Sequence, residues 1–119
     1  MSSKPTISEV IIVEGKHDSI AVKNAVNAET LIVFGLSVRK HIGTIKRCHE
    51  DNGVIVFTDP DRNGQRIRDY ISKQVRGIKH AYLLKSDAIG ENGRIGVQYA
   101  NSKYILSALQ KADGTFIQE

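Results

Sequence analysis

The chain has 119 residues, 40% apolar and 25% charged, with a formal net charge of +4. These values suit one globular domain, with a core over about residues 8–112, and exclude a low-complexity or disordered chain. A single cysteine, Cys48, excludes a disulfide scaffold, no run approaches the ~18 apolar residues of a membrane span, and MSSKPTISEV has no apolar signal core, so a cytoplasmic protein is expected.

Residues 9–13 (EVIIV) read as a first strand. Residues 17–27 read as a helix with Ile20, Ala21, Val22, Ala25 and Val26 on its buried side. TLIVF, 30–34, reads as a second strand closed by Gly35. A helix over about 38–51 follows, with Ile42, Ile45 and Cys48 at three-residue spacing, which makes Cys48 a small buried thiol. Asn52-Gly53 is a turn signal before a third strand, VIVFT, at 54–58. A helix over about 63–75 carries Ile67, Tyr70, Ile71 and Val75, and Gly77 ends it. KHAYLL, 79–84, reads as a fourth strand. After a polar, glycine-bearing stretch at 85–96, a last helix over about 101–112 buries Ile105, Ala108, Leu109 and Ala112.

Continuous apolar strands alternating with helices predict a parallel sheet covered on both faces, a three-layer α/β/α fold. In such sheets the binding crevice lies beyond the carboxyl ends of the strands, where strand order reverses. Glu14 follows the first strand; Asp59 and Asp61 follow the third. They meet only if those strands are neighbours, which predicts the order 2-1-3-4.

Three carboxylates in one crevice repel one another and need an offsetting charge, either Lys or Arg or a divalent cation. An all-oxygen site favours Mg²⁺ or Mn²⁺ over Zn²⁺, and magnesium keeps waters that substrate oxygens can replace. Gly64 opens the third helix, where free N–H groups attract anions and a missing side chain lets a phosphate approach. Arg62 and Arg66 stand four apart at the same helix end. Each acid also has a purely structural account. Asp61 suits a helix N-cap, Asp59-Pro60-Asp61 suits a turn, and Glu14 suits the positive end of a helix dipole. Those accounts leave unexplained why three acids gather at the ends of two core strands.

Val13-Glu14-Gly15 together with Asp59-Pro60-Asp61 and Gly64 resembles the Toprim family, whose marks are Glu-Gly after one strand and Asp-x-Asp-x-x-Gly after another. Asn63 stands where topoisomerase versions commonly carry a further acid, which disfavours topoisomerase chemistry. Val13-Glu14-Gly15-Lys16 with Asp18, Phe57-Thr58-Asp59-Pro60-Asp61 with Ile67-Arg68, and Gly96-Val97 with Tyr99-Ala100 resemble the amino-terminal domain of the ribonucleases that mature 5S ribosomal RNA. In that late segment Gln98 and Tyr99 replace the usual acid and histidine. The resemblance implies metal-dependent phosphodiester chemistry on nucleic acid, RNA rather than DNA. Asp59 and Asp61 would hold the metal, and Glu14 would act as general base or acid or as a further ligand. A ribosomal protein or ribonucleoprotein is the implied partner. A non-catalytic module binding nucleic acid or a partner protein is the alternative, and a primase- or topoisomerase-like accessory activity is a remote one.

Other residues lie near the expected crevice. Gly15 permits the corner after the first strand. Lys16 either reaches a phosphate or is a solvated lysine. Asp18 either supports Lys16 or favours the first helix's amino end. Gly35 closes the second strand at the same edge, and Lys85 and Asp87 follow the fourth.

Overall fold

The protein is described by a computed structural model over residues 4–117, with the backbone alone at Leu36. Six short strands are β1 (Thr6–Ile7), β2 (Val10–Val13), β3 (Thr30–Ile32), β4 (Val54–Val56), β5 (Lys79–His80) and β6 (Phe116–Ile117). The helices are α1 (Lys16–Ala25), α2 (Ile42–Asp51), α3 (Arg62–Gln74) and α4 (Ser102–Lys111). Strands β3-β2-β4-β5 form a parallel sheet, so the four expected strands take the expected order, with the reversal between β2 and β4.

Side-chain alternation sends the strand residues to two cores. Ile11, Val13, Ile55 and Phe57 pack with Val22 and Ala25 of α1 and Ile105 and Leu109 of α4. Ile12, Val54 and Val56 pack on the other face with Ile45 of α2 and Ile67 and Ile71 of α3. The central strands are apolar at every position because both faces are covered.

Strand ends are shorter than expected, although pairing outlasts them. Val33 and Phe34 still donate to the carbonyls of Val13 and Glu14, Phe57 to Ile12, and Ala81 to Val56. Beyond Ala81 the chain turns into a 3₁₀ segment, Lys85–Asp87, which ends the expected fourth strand early. The second expected helix is preceded by a separate 3₁₀ helix, Gly35–His41.

Two burial expectations are corrected. Ile20 is 47% exposed, because Asp18 and Ser19 take the inner face of α1 through polar contacts. Ser19 Oγ lies 2.7 Å from Thr30 Oγ1. Cys48 is only half-buried, at the margin of the second core. The antiparallel ladder of β1 and β6 lies outside the sequence expectations. It joins the two ends of the chain in two residue pairs, too short for any periodic signal. Among the described residues no helix is long and apolar enough to cross a membrane.

Candidate active site

The carboxyl ends of β2 and β4 bring the acids together. Glu14 directly follows β2, and its Oε2 accepts the Asp59 N–H at 2.6 Å across 45 residues of sequence. Its Oε1 accepts from Asn63 Nδ2 at 3.2 Å. Asn63, expected only as a departure from an acidic pattern, thus supplies a donor where an acid would repel. Asp61 N-caps α3, its Oδ1 accepting the Gly64 N–H at 2.7 Å. Asp59 Oδ1 accepts the Val97 N–H at 2.8 Å.

Asp18 forms the next layer and is buried. Its Oδ2 accepts the Gly15 N–H at 3.1 Å, and its Oδ1 accepts the Gln98 N–H at 3.0 Å. The segment from Gly96 to Gln98 therefore closes over the acids with backbone donors alone. An added Cβ at Gly96 would stand 3.4 Å from Asp59 Oδ1, so a side chain there would crowd the carboxylate. The sequence marks this segment by its resemblance and by the acid and histidine that Gln98 and Tyr99 replace, with no sign of these donors. Backbone N–H groups leave no side-chain signal; only the glycine marks the close approach.

Burial pushes the Glu14 carboxyl up to about 7, and the neighbouring charges of Asp59 and Asp61 add to the shift against the Asp59 N–H bond. Burial raises Asp18 to about 6, assisted by Asp59. Asp59 also lies above the ordinary aspartate value, again chiefly through burial and against the Val97 bond. Among the described residues the ion pair within 4.0 Å is Glu9–Lys79, at the far end of the sheet. Among the described residues no Lys or Arg stands within 4.0 Å of the crevice acids, although the buried Arg68 feels the Glu14 charge.

An all-oxygen donor set, raised carboxyl values and the lack of a paired cation fit a hard divalent metal. Among the described residues, however, no three His, Cys, Asp or Glu side chains stand together as a ready-made metal cage. The expected three-ligand set of Glu14, Asp59 and Asp61 is thus not preassembled among the described residues, and each carboxylate commits one oxygen to a backbone N–H. Magnesium-type sites commonly use one or two carboxylates and keep waters, so the residues present suffice.

Asp59 and Asp61 line a cavity of about 300 Å³ with Gln65, Arg68, Tyr82 and Lys85. Arg68, absent from the expected site, is 4% exposed. It donates to the carbonyls of Val56 and Ala81 and reaches His80 Nδ1 at 3.1 Å. A charged residue on an apolar helix face was the signal for it.

The remaining expected residues divide. Lys85 lines the cavity, whereas Asp87 lines a separate cleft with Tyr104 and Lys111, displaced by the intervening 3₁₀ turn. Gly35, Asn63 and Arg66 line a neighbouring groove of about 180 Å³, outside the acid cavity. Lys16 and Arg62 are exposed at their helix starts. Gly15 has extended backbone, φ −144°, which any residue adopts, and a Cβ there would make ordinary contact with Asp18. The corner therefore does not demand a glycine. Gly64 does have to be glycine, and the packing alone requires it. A Cβ would fall 2.0 Å from the Asp59 carbonyl oxygen, so the bare Cα lets α3 start directly against the acidic turn.

A family model described as Toprim domain matches residues 9–90. The chain is 49% identical over 107 residues to Ribonuclease M5 of Clostridium acetobutylicum, covering 89% of this chain and 57% of that one. It is 45% identical over 111 residues to Ribonuclease M5 of Fusobacterium nucleatum, covering 92% and 60%. For Ribonuclease M5 of Bacillus cereus the identity is 41% over 112 residues, covering 92% and 59%. The chain spans about three-fifths of the length of these curated relatives. A solved small Toprim domain protein of Bacillus stearothermophilus superposes with a TM-score of 0.73 over 93% of each chain at 19% identity, a likeness of fold.

Proposed function

Because the chain belongs to the Toprim family, we propose that it carries the phosphodiester-processing site of a divalent-metal-dependent ribonuclease of the kind that matures 5S ribosomal RNA. The observation that carries this reading is the pairing of Glu14 with Asp59 at the ends of neighbouring strands, half-buried together and with no Lys or Arg within 4.0 Å among the described residues. Asp59 and Asp61 would hold Mg²⁺ or Mn²⁺, which would supply a Lewis acid to polarise the phosphate and stabilise charge on the oxygens around phosphorus.

Glu14 is the proton-transfer group. A carboxyl titrating at about 7 is poised to exchange a proton near neutral pH. Each Glu14 oxygen spends one acceptor direction on Asp59 or Asn63 and keeps a second. In hydrolysis a water oxygen bonds to phosphorus while Glu14 takes the water's proton. The bond from phosphorus to the leaving oxygen breaks, and Glu14 gives that oxygen the proton it took from the water. The Val97 and Gln98 N–H groups hold Asp59 and Asp18 in place. Lys85, at the cavity rim, meets the phosphate backbone, and Arg62 and Arg66 extend that contact along α3. The setting is the cytoplasm, with a ribosomal protein or ribonucleoprotein presenting the RNA.

The test uses labelled structured RNA and DNA with and without Mg²⁺ or Mn²⁺. RNA cleavage that needs the metal and falls by roughly 10²-fold or more in Asp59→Asn supports the nuclease. Metal should raise the melting temperature of wild type and leave Asp59→Asn unmoved. Binding without cleavage under every metal makes the chain a binding module instead.

A further inference from the structure

We propose that Tyr82 is a stacking platform for an unpaired RNA base beside the processed phosphate. The inference rests on the reading of the acid crevice as an RNA-processing site. Tyr82 lines the same cavity as Asp59 and Asp61, and it is 61% exposed. Exposure of a single aromatic is ordinary. What sets this ring apart is how firmly it is held. The Arg68 guanidinium carbon lies 4.1 Å from its centroid, and the His80 ring stacks on it at 6.0 Å and 21°.

The support is itself tied to its neighbours. Arg68 is buried and tied to carbonyls of two strand ends, and His80 Nε2 lies 3.0 Å from Ser72 Oγ on α3. A buried cation against an aromatic ring is a desolvated and therefore strong contact. The molecule thus orders an aromatic ring at the rim of its acid cavity and leaves more than half of it open. A π-face of this kind accepts any base. The rim also carries Lys85 and Gln65, which suit a phosphodiester strand better than an apolar peptide. In an A-form duplex the base faces are buried in the stack, so the base that reaches Tyr82 is unpaired. The substrate class is an RNA with an unpaired nucleotide at the cleavage junction.

The test measures affinity for a labelled RNA hairpin with an unpaired tail, and for the same hairpin blunt-ended, in buffer without divalent metal. Tyr82→Ala should weaken binding of the tailed RNA by roughly 5- to 150-fold, the range of one lost base stack. Its effect on the blunt hairpin should be small. Tyr82→Phe should keep wild-type affinity. Tyr82→Leu, which still covers Arg68 but has no ring, should lose affinity as the alanine variant does. The chain contains no tryptophan, so Tyr82→Trp adds a single reporter whose fluorescence the tailed RNA should quench. Unchanged affinity in Tyr82→Ala overturns the platform. If that substitution instead converts a dimer to a monomer, Tyr82 and the 69% exposed Leu84 form a protein contact, which also overturns it. Wild-type cleavage with an unaffected Tyr82→Ala removes the platform alone. A wild type that neither binds nor cleaves RNA removes the RNA reading of the crevice and the platform with it.

Discussion

Glu14 is the residue where sequence position, burial and charge converge. It ends a core strand, loses solvent, and faces two further acids. The folded chain therefore prefers it protonated, up to about 7, against 4.5 for the free group. A raised carboxyl value means the fold binds the proton more tightly than the unfolded chain does. The corresponding stabilisation is complete below about pH 4.5 and is lost as pH rises towards 7. At about 1.4 kcal/mol per unit, the loss is on the order of 2–3 kcal/mol. Glu14→Gln keeps an acceptor for the Asp59 N–H and removes the charge. Without divalent metal its melting temperature should match wild type near pH 4 and exceed it increasingly up to pH 7.5. Asp18 shifts in the same direction but is present in both proteins, so it cancels in the difference. A difference that stays flat with pH would mean that Glu14 carries no repulsive charge.

At the scale of elements, one residue serves both a helix and a site. Asp61 caps α3 through Gly64, and it stands in the acid cavity. Two substitutions separate these roles. Asp61→Ala removes the cap and should cost about 1 kcal/mol in chemical denaturation, whereas Asp61→Ser keeps a capping oxygen and should cost little. Both remove the carboxylate and should lower metal-dependent RNA cleavage by at least about 10- to 100-fold. Full cleavage by Asp61→Ser would reduce Asp61 to a cap. The elements also show which parts of the site the sequence makes legible. Strands β2 and β4 are unbroken apolar runs that stop on acids, so their pattern reveals both their burial and their edge. The inner face of α1 escapes the same reading, because Asp18 and Ser19 occupy it and satisfy themselves by hydrogen bonds. The donors of Val97 and Gln98 escape it for a simpler reason: every residue but proline has that N–H. Arg68 shows only as a charge on an apolar helix face; its partners are mostly carbonyl groups, and carbonyls are equally anonymous.

Across the whole molecule, the two ends of the sheet handle carboxylates in opposite ways. At the end away from the crevice, Glu9 is 1% exposed yet fully partnered. It takes Lys79 Nζ at 2.6 Å, the Thr115 N–H at 2.8 Å and the Thr115 hydroxyl at 2.9 Å. These contacts join β2, β5 and the segment leading into β6, so one acid ties the sheet to the ladder that closes the chain ends. Burial alone would raise its titration, but the Lys79 ammonium and the Thr115 donors outweigh it and hold Glu9 below 4.5. A lowered carboxyl value contributes stability above the unfolded pKa, and that stability is lost as pH falls through the folded one. Glu9→Gln should therefore lower the melting temperature at pH 7, by an amount equivalent to about 1–3 kcal/mol, since Lys79 is part-exposed and the ion pair is screened. The deficit should shrink as pH falls below 4.5 and through the lowered titration of Glu9. Glu9→Gln and Glu14→Gln should thus approach wild type at low pH from opposite sides. Adding Mg²⁺ or Mn²⁺ at pH 7.5 separates them further. The metal should stabilise wild type and Glu9→Gln alike, because the crevice of the latter is intact, and so erase the advantage of Glu14→Gln. A metal response weakened as much by Glu9→Gln as by Glu14→Gln would show that the two ends of the sheet do not act independently.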